Sequence, residues 1–142
     1  MLERAERSAR VKGTILAFDF GLKRIGVAVG EAELGTTHPL PAVGGFAQIE
    51  KLVAEWQPAR FVVGLPISER GPHPLARRVE RFARRLEGRF RLPVSRVDER
   101  FTSVEAESRL KASKTKATIK ENIDSMAAQL ILEQYFDERE AA

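Results

Sequence analysis

The chain has 142 residues, 43% of them hydrophobic and 31% charged, and its formal net charge is +4, which fits a single globular domain rather than a disordered chain. It contains no cysteine, which excludes disulfides and thiolate zinc sites. No apolar run reaches the length of a membrane span and the charged start lacks a signal-peptide core, so we expect a cytoplasmic protein with a tail over residues 1–12 and one domain over residues 13–142.

The first part of the chain is predicted to form three strands. Residues 14–20 and 24–30 are mostly apolar runs joined by a short turn, and residues 37–43 form a third run. Pro39 and Pro41 lack the backbone N–H that an inner strand needs, so the third strand is expected at an edge of the sheet.

Helices and strands alternate through the rest of the chain. Residues 46–56 and 75–90 have apolar side chains at helical spacing, while residues 61–65 and 94–99 are short strand runs. Capping boxes predict two further helices, from Thr102 to about Leu110 and from Thr118 to about Phe136, with a basic loop between them. The order β-β-β-α-β-α-β-α-α predicts an α/β fold with a mixed sheet.

Basic residues are concentrated in two segments. Lysines gather at Lys111, Lys114, Lys116 and Lys120, and arginines crowd the helix predicted over residues 75–90 and the strand after it. Such clustering favours a polyanionic partner, although a solvated basic face that only maintains solubility explains it equally well.

Acidic residues occur at three places in the chain where a carboxylate is costly to bury. Asp19 lies near the end of an apolar strand, and Asp98 and Glu99 close another. Adjacent strand residues face opposite sides, so only one of that pair can share a face with Asp19. Asp124 continues the helix face formed by Ala127, Ala128, Ile131 and Tyr135, which directs it toward the sheet.

Each acid also has a plainer interpretation. Asp19 can accept hydrogen bonds from the following turn, Asp98 or Glu99 can pair with Arg96 or Arg100, and Asp124 can complement the helix dipole. If the three carboxylates converge, however, their repulsion requires cations, and oxygen ligands of this kind suit Mg²⁺ or Mn²⁺. Two such ions would clamp the oxygens of a phosphodiester during cleavage.

Four segments resemble the YqgF or RuvX family in order and spacing, over nearly the whole chain after about Lys12. They are LAFDFGLKRIGVAVG at residues 16–30, VVGLPISERG at 62–71, VDERFTSVEA at 97–106 and NIDSMAAQLILEQYF at 122–136. These bacterial proteins are described both as Holliday junction resolvases and as the nuclease that matures the 5′ end of pre-16S ribosomal RNA.

The resemblance implies an RNase H-like fold with a five-stranded mixed sheet, three antiparallel N-terminal strands and helices on both faces. It implies a metal-dependent nuclease in which Asp19, Glu99 and Asp124 are the catalytic and metal-binding acids. Gly64, Leu65 and Pro66 are expected to shape the rim of the site. Residues expected to contact nucleic acid are Lys23, Arg24, Arg100, Lys114 and Lys116.

Several alternatives stay open from the sequence. The substrate can be RNA or DNA, the chain can act as a monomer or homodimer, and a nucleic-acid-binding module that does not cut is the main competing interpretation. The three intact carboxylates favour cleavage. We further hypothesise that the loop with Lys114 and Lys116 guides substrate phosphates, while the arginine helix adds a weaker field.

Overall fold

The computed structural model describes residues 13–68, 70–99 and 119–141, and in the last range it describes the side chains of residues 125–139. Within these ranges five strands form one sheet. They are β1 (Thr14–Phe20), β2 (Ile25–Glu31), β3 (Thr36–Val43), β4 (Arg60–Leu65) and β5 (Val94–Asp98). The order across the sheet is β3-β2-β1-β4-β5, with β1, β2 and β3 antiparallel and with β4 and β5 parallel to β1. This is the mixed sheet that the sequence predicts.

Three helices in the described ranges cover the two faces of the sheet. Helices α1 (Phe46–Trp56) and α2 (Ala76–Phe90) pack on one face, and α3 (Ile119–Ala141) packs on the other. We name these the arginine face and the α3 face, because α2 carries the arginine cluster. In the part of the chain that the structure describes, no helix is both long enough and apolar enough to cross a membrane.

The central strand β1 is apolar on both sides because both sides are covered. Leu16 and Phe18 belong to the core on the arginine face, whereas Ile15 and Ala17 belong to the core on the α3 face. All four are at most 3% exposed. A strand buried on both faces reads as a continuous hydrophobic run, and this explains the sequence of β1.

A bulge between β2 and β3 receives the beginning of α3. The pairing of the two strands shifts between Ile25 and Val27. There the fully buried Ser125 hydroxyl accepts a hydrogen bond from the Val27 N–H at 3.5 Å and donates to the Leu40 carbonyl. A bulge leaves ladder groups unpaired, and the Ser125 hydroxyl satisfies two of them. The contact fixes where α3 crosses the sheet.

Most predicted element limits agree with the structure to within a residue. β3 is an edge strand, as Pro39 and Pro41 require. The prediction that the last helix ends at about Phe136 is wrong, because α3 continues to Ala141. Asp137, Glu138 and Arg139 in its last turns are exposed, and Glu and Arg favour helix without burial. The predicted helix at residues 102–110 and the basic loop after it lie outside the described residues.

Of the two partners expected for Asp98 or Glu99, Arg100 lies outside the described residues. The other, Arg96 of β5, does not pair with either acid, and that part of the interpretation is wrong. Its guanidinium instead contacts two acids of α2, Glu80 at 2.8 Å and Glu87 at 3.0 Å. These ion pairs hold α2 on β5 and raise the pKa of Arg96 above its ordinary value, chiefly through the hydrogen bonds to Glu87 and Glu80.

Candidate functional site

At the carboxyl end of β1, an aromatic and an acidic side chain point to opposite faces of the sheet. Phe20 packs against the core of the arginine face, so its neighbour Asp19 points to the α3 face. Asp19 is only partly exposed, and it forms contacts of its own. The end of the strand therefore brings a carboxylate to the margin of the α3 core.

Glu99 reaches the same face from β5. Its backbone N–H donates to the Leu65 carbonyl at 2.9 Å, which continues the β4–β5 ladder one residue beyond the strand. Val97, two residues earlier, belongs to the α3 core, so alternation places Glu99 on the α3 face and Asp98 on the other. The Asp19 and Glu99 carboxyl groups lie close enough together for one of them, when protonated, to hydrogen bond to the other.

The contact between the two acids crosses β4 at Gly64. A Cβ atom at that position would collide with Cδ1 of Ile131 and would lie 3.1 Å from Cγ of Glu99. Only a residue without a side chain leaves room for both the helix and the carboxylate. Gly64 thus belongs to the floor of the site rather than to its rim alone.

Burial and a nearby histidine act in opposite directions on Glu99. Burial raises the pKa of the Glu99 carboxyl, while the hydrogen bond with Asp19 and the electrostatic effect of the nearby His73 imidazole lower that pKa. His73 is held in place because its Nδ1 accepts the N–H of Leu75 at 3.0 Å. The sequence analysis missed His73, although a histidine between two prolines just before a helix could have drawn attention to it.

The donor set of this site fits a hard cation. Two carboxylates in contact are stable as anions only when positive charge lies between them, and oxygen donors are what Mg²⁺ and Mn²⁺ prefer. Among the described side chains, no group of three metal-binding residues is present. Asp19 and Glu99 supply two donors, and the side chain of the third predicted acid lies outside the described set.

That third acid, Asp124, belongs to α3 by its backbone. It directly precedes Ser125, which is anchored on the β2–β3 bulge, and stands one helical turn before the fully buried Ala128. The helix face that the sequence predicts to be inward is buried at Ala128, Ile131 and Tyr135.

The basic residues predicted to contact nucleic acid are only partly within the described ranges. Lys23 and Arg24 are exposed in the turn after β1, at the same end of the sheet as Asp19. The turn is tight, because a Cβ on Gly21 would lie 2.5 Å from the Arg24 carbonyl oxygen. Arg100, Lys114 and Lys116 lie outside the described residues.

Comparison with known proteins identifies the family. A family model described as RuvX, Holliday junction resolvase, matches residues 13–138. The chain belongs to the RuvX family. A relative from Dechloromonas aromatica is 50% identical over 133 residues, covering 88% of this chain and 91% of the relative. One from Neisseria meningitidis serogroup B is 52% identical over 134 residues, covering 89% of each chain. Both relatives carry the provisional name pre-16S rRNA nuclease. As a member of the RuvX family, the chain described here is a nuclease.

Solved structures of low sequence identity share the RuvX fold. RuvC of Thermus thermophilus in complex with a Holliday junction substrate superposes with a TM-score of 0.54 at 14% identity, covering 92% of this chain and 97% of the other. A second Thermus thermophilus RuvC structure gives the same TM-score and identity. These likenesses support the fold alone, and they confirm the predicted RNase H-like architecture.

Proposed function

We propose that this RuvX protein is a divalent-metal-dependent nuclease that hydrolyses phosphodiester bonds with Asp19, Glu99 and Asp124. The observation that carries the proposal is the close approach of the Asp19 and Glu99 carboxyl groups across Gly64. Two acids from separate strands meet at the carboxyl ends of β1 and β5, on the face that α3 covers. This arrangement costs stability unless a cation occupies it, which supports a functional role.

The three acids would hold Mg²⁺ or Mn²⁺, and a metal bound there supplies charge stabilisation for the phosphate oxygens. The residues of the chain position the substrate around it. Lys23 and Arg24, at the same end of the sheet, would contact phosphates beside the scissile bond, and the His73 imidazole favours the ionised form of Glu99. Gly64 leaves room beside β4 for Ile131 of α3 and for the Glu99 side chain, so that the carboxylate can lie next to the strand.

The proposed substrate is the precursor of 16S ribosomal RNA, cut during maturation of its 5′ end in the cytoplasm. The names of the curated relatives support this choice. The second candidate is a four-way DNA junction, which the description of the family model favours. Symmetric cutting of a junction would require two active sites, and therefore two copies of the chain.

A parallel cleavage assay separates these functions. The pure protein is incubated with precursor 16S RNA, a four-way DNA junction and single-stranded DNA, each with Mg²⁺, with Mn²⁺ and with chelator. We expect metal-dependent cleavage of the precursor RNA near the mature 5′ end. Faster cutting of the four-way junction would favour junction cleavage as the function instead. Binding without cleavage of any substrate would contradict a nuclease.

A further inference from the structure

A second surface lies on the arginine face, directly behind the carboxylates. A groove of about 370 Å³ opens there at the carboxyl end of β1. Phe20, Phe46 and Phe82 line it together with Arg78, Arg81 and Arg85. Phe20 is the neighbour of Asp19 in the chain, so the groove and the acid pair lie on opposite faces of one strand end.

The charge of this groove is not neutralised by the acids of its own helix. Both acids of α2, Glu80 and Glu87, are engaged by Arg96. Within the described ranges no carboxylate pairs with Arg78 or Arg81, and both side chains are exposed. The positive end of α1, which begins at Phe46 without an acid in its first turn, adds to the same field.

The floor of the groove is aromatic and rigid. Phe82 is 3% exposed and packs against Phe20 and Phe46, with ring centroids 5.2 and 5.7 Å apart. Arg85 is held with its guanidinium 4.4 Å from the centre of the Phe46 ring. Flat cationic and aromatic groups beside unpaired arginines are what proteins use to bind single-stranded nucleic acid, by stacking on bases and attracting phosphates.

We propose that this groove binds unpaired nucleotides of the substrate strand next to the bond being cut. This inference rests on the proposed nuclease function, because that function sets the path of the substrate strand. The strand would pass over the end of β1 from the carboxylates to the groove. Its volume lies at the lower end of the range of about 300 to 1,000 Å³ for small-molecule sites, which is the scale of a single nucleotide rather than of a duplex. Arg78 and Arg81 contact phosphates, and Arg85 contacts bases together with the partly exposed rings of Phe20 and Phe46.

Binding measured in an Asp19→Asn background tests the groove without cleavage. Fluorescence anisotropy is recorded with a single-stranded oligouridine and with a blunt RNA duplex over a series of salt concentrations. Arg78→Gln with Arg81→Gln should weaken binding of the single strand about fivefold or more and lower its salt slope by about 1.4, since each phosphate contact contributes about 0.7. Duplex binding should change less than twofold.

The same helix offers a matched control. Arg77 and Arg84 are exposed on α2 but do not line the groove, so Arg77→Gln with Arg84→Gln removes the same charge. This control should change single-strand binding less than twofold. Equal effects of the two pairs would mean that α2 attracts nucleic acid only through its overall charge and not through the groove. If neither pair had an effect, the proposed binding at the groove would be refuted. Equal weakening of the duplex would overturn the single-strand assignment.

The aromatic part has its own variant. Phe46→Leu preserves apolar volume but removes the ring that holds Arg85, so single-strand affinity should fall about threefold with the salt slope nearly unchanged. An unaltered affinity would remove stacking from the proposal. Failure of the nuclease function is distinguishable, because wild-type protein that cuts nothing could still bind the single strand through Arg78 and Arg81.

Discussion

Helices cover both faces of the sheet, but the two faces carry opposite charges at the carboxyl end of β1. On the α3 face, Asp19 and Glu99 meet over Gly64. On the arginine face, Phe20 lies in a groove with Arg78 and Arg81. Because successive residues of a strand point to opposite faces, one step along the chain separates an acidic site from a basic one.

Because of this difference in charge, we expect the two faces to have different tasks. An acidic site repels phosphates unless a cation is present, whereas a basic groove attracts them without one. The arrangement predicts that metal binding and strand binding can be lost independently. Substitutions on the α3 face should affect cleavage, and substitutions on the arginine face should affect affinity.

The largest expected effect is loss of cleavage when the acids of the α3 face are neutralised. Asp19→Asn, Glu99→Gln and Asp124→Asn should each lower the cleavage rate by more than about 100-fold, since even residues behind metal ligands contribute about 10- to 100-fold. Nucleic-acid binding and the circular dichroism spectrum should be retained. Near wild-type rates in all three variants would remove the proposed site.

Asp98 provides the matched control for Glu99. It is the adjacent acid, exposed, and on the opposite face. Asp98→Asn should therefore lose much less activity than Glu99→Gln when single-turnover rates are compared. The reverse order would mean that Asp98 reaches the substrate and that the division between the faces does not hold.

A smaller effect is expected from filling the floor of the acid site. Gly64→Ala should lower the free energy of unfolding by about 1 to 3 kcal/mol, because the added methyl overlaps Ile131 and approaches Glu99. Combining it with Ile131→Val, which removes the colliding Cδ1, should recover part of that loss. Urea titration of the two single variants and the double variant gives the coupling, and strict additivity would contradict the proposed contact.

The smallest effect concerns the pH dependence of stability. Burial raises the pKa of Glu99 above the value of about 4.3 that the unfolded chain has. Below that value both states are protonated and the group contributes nothing. As the pH rises through the raised folded value, the folded state holds a charge it disfavours, so stability is lost.

Glu99→Gln removes this loss, so its stability advantage over the metal-free wild type should grow as the pH rises from about 4 to 7. Thermal melts at both pH values measure it, with Asp98→Asn as the matched variant that removes the adjacent exposed acid. Mg²⁺ or Mn²⁺ should reverse the order, because the wild type gains binding energy that the variant lacks. An advantage that shrinks toward neutral pH would contradict the burial of Glu99.

Residues in β1 and β3 show what the sequence could predict. The continuous apolar run of β1 and the prolines of β3 predict an inner and an edge strand, because these properties depend on local composition. Alternation predicts that one of Asp98 and Glu99 faces Asp19. It does not choose between them, since the choice depends on the strand phase, and the family motif supplied it.

The groove on the arginine face was not predictable in the same way. It depends on how α1 and α2 meet at the end of β1, and on Arg96 engaging Glu80 and Glu87 while Arg78 and Arg81 stay exposed. The arginine cluster was visible in the sequence, but its division into paired and available charges was not. The role of Ser125 was hidden in the same way, because it depends on a bulge between β2 and β3 that is distant from Ser125 in the sequence.

The edge strand β3 also bears on how copies of the chain can associate. An open sheet edge is a template on which another chain can add a strand through backbone hydrogen bonds. Pro39 and Pro41 withdraw two donors from that row in β3, and the bulge near Val27 bends it. A neighbouring molecule meets an interrupted template there. The same residues that end the sheet thus disfavour domain swapping and fibrillar growth along this edge.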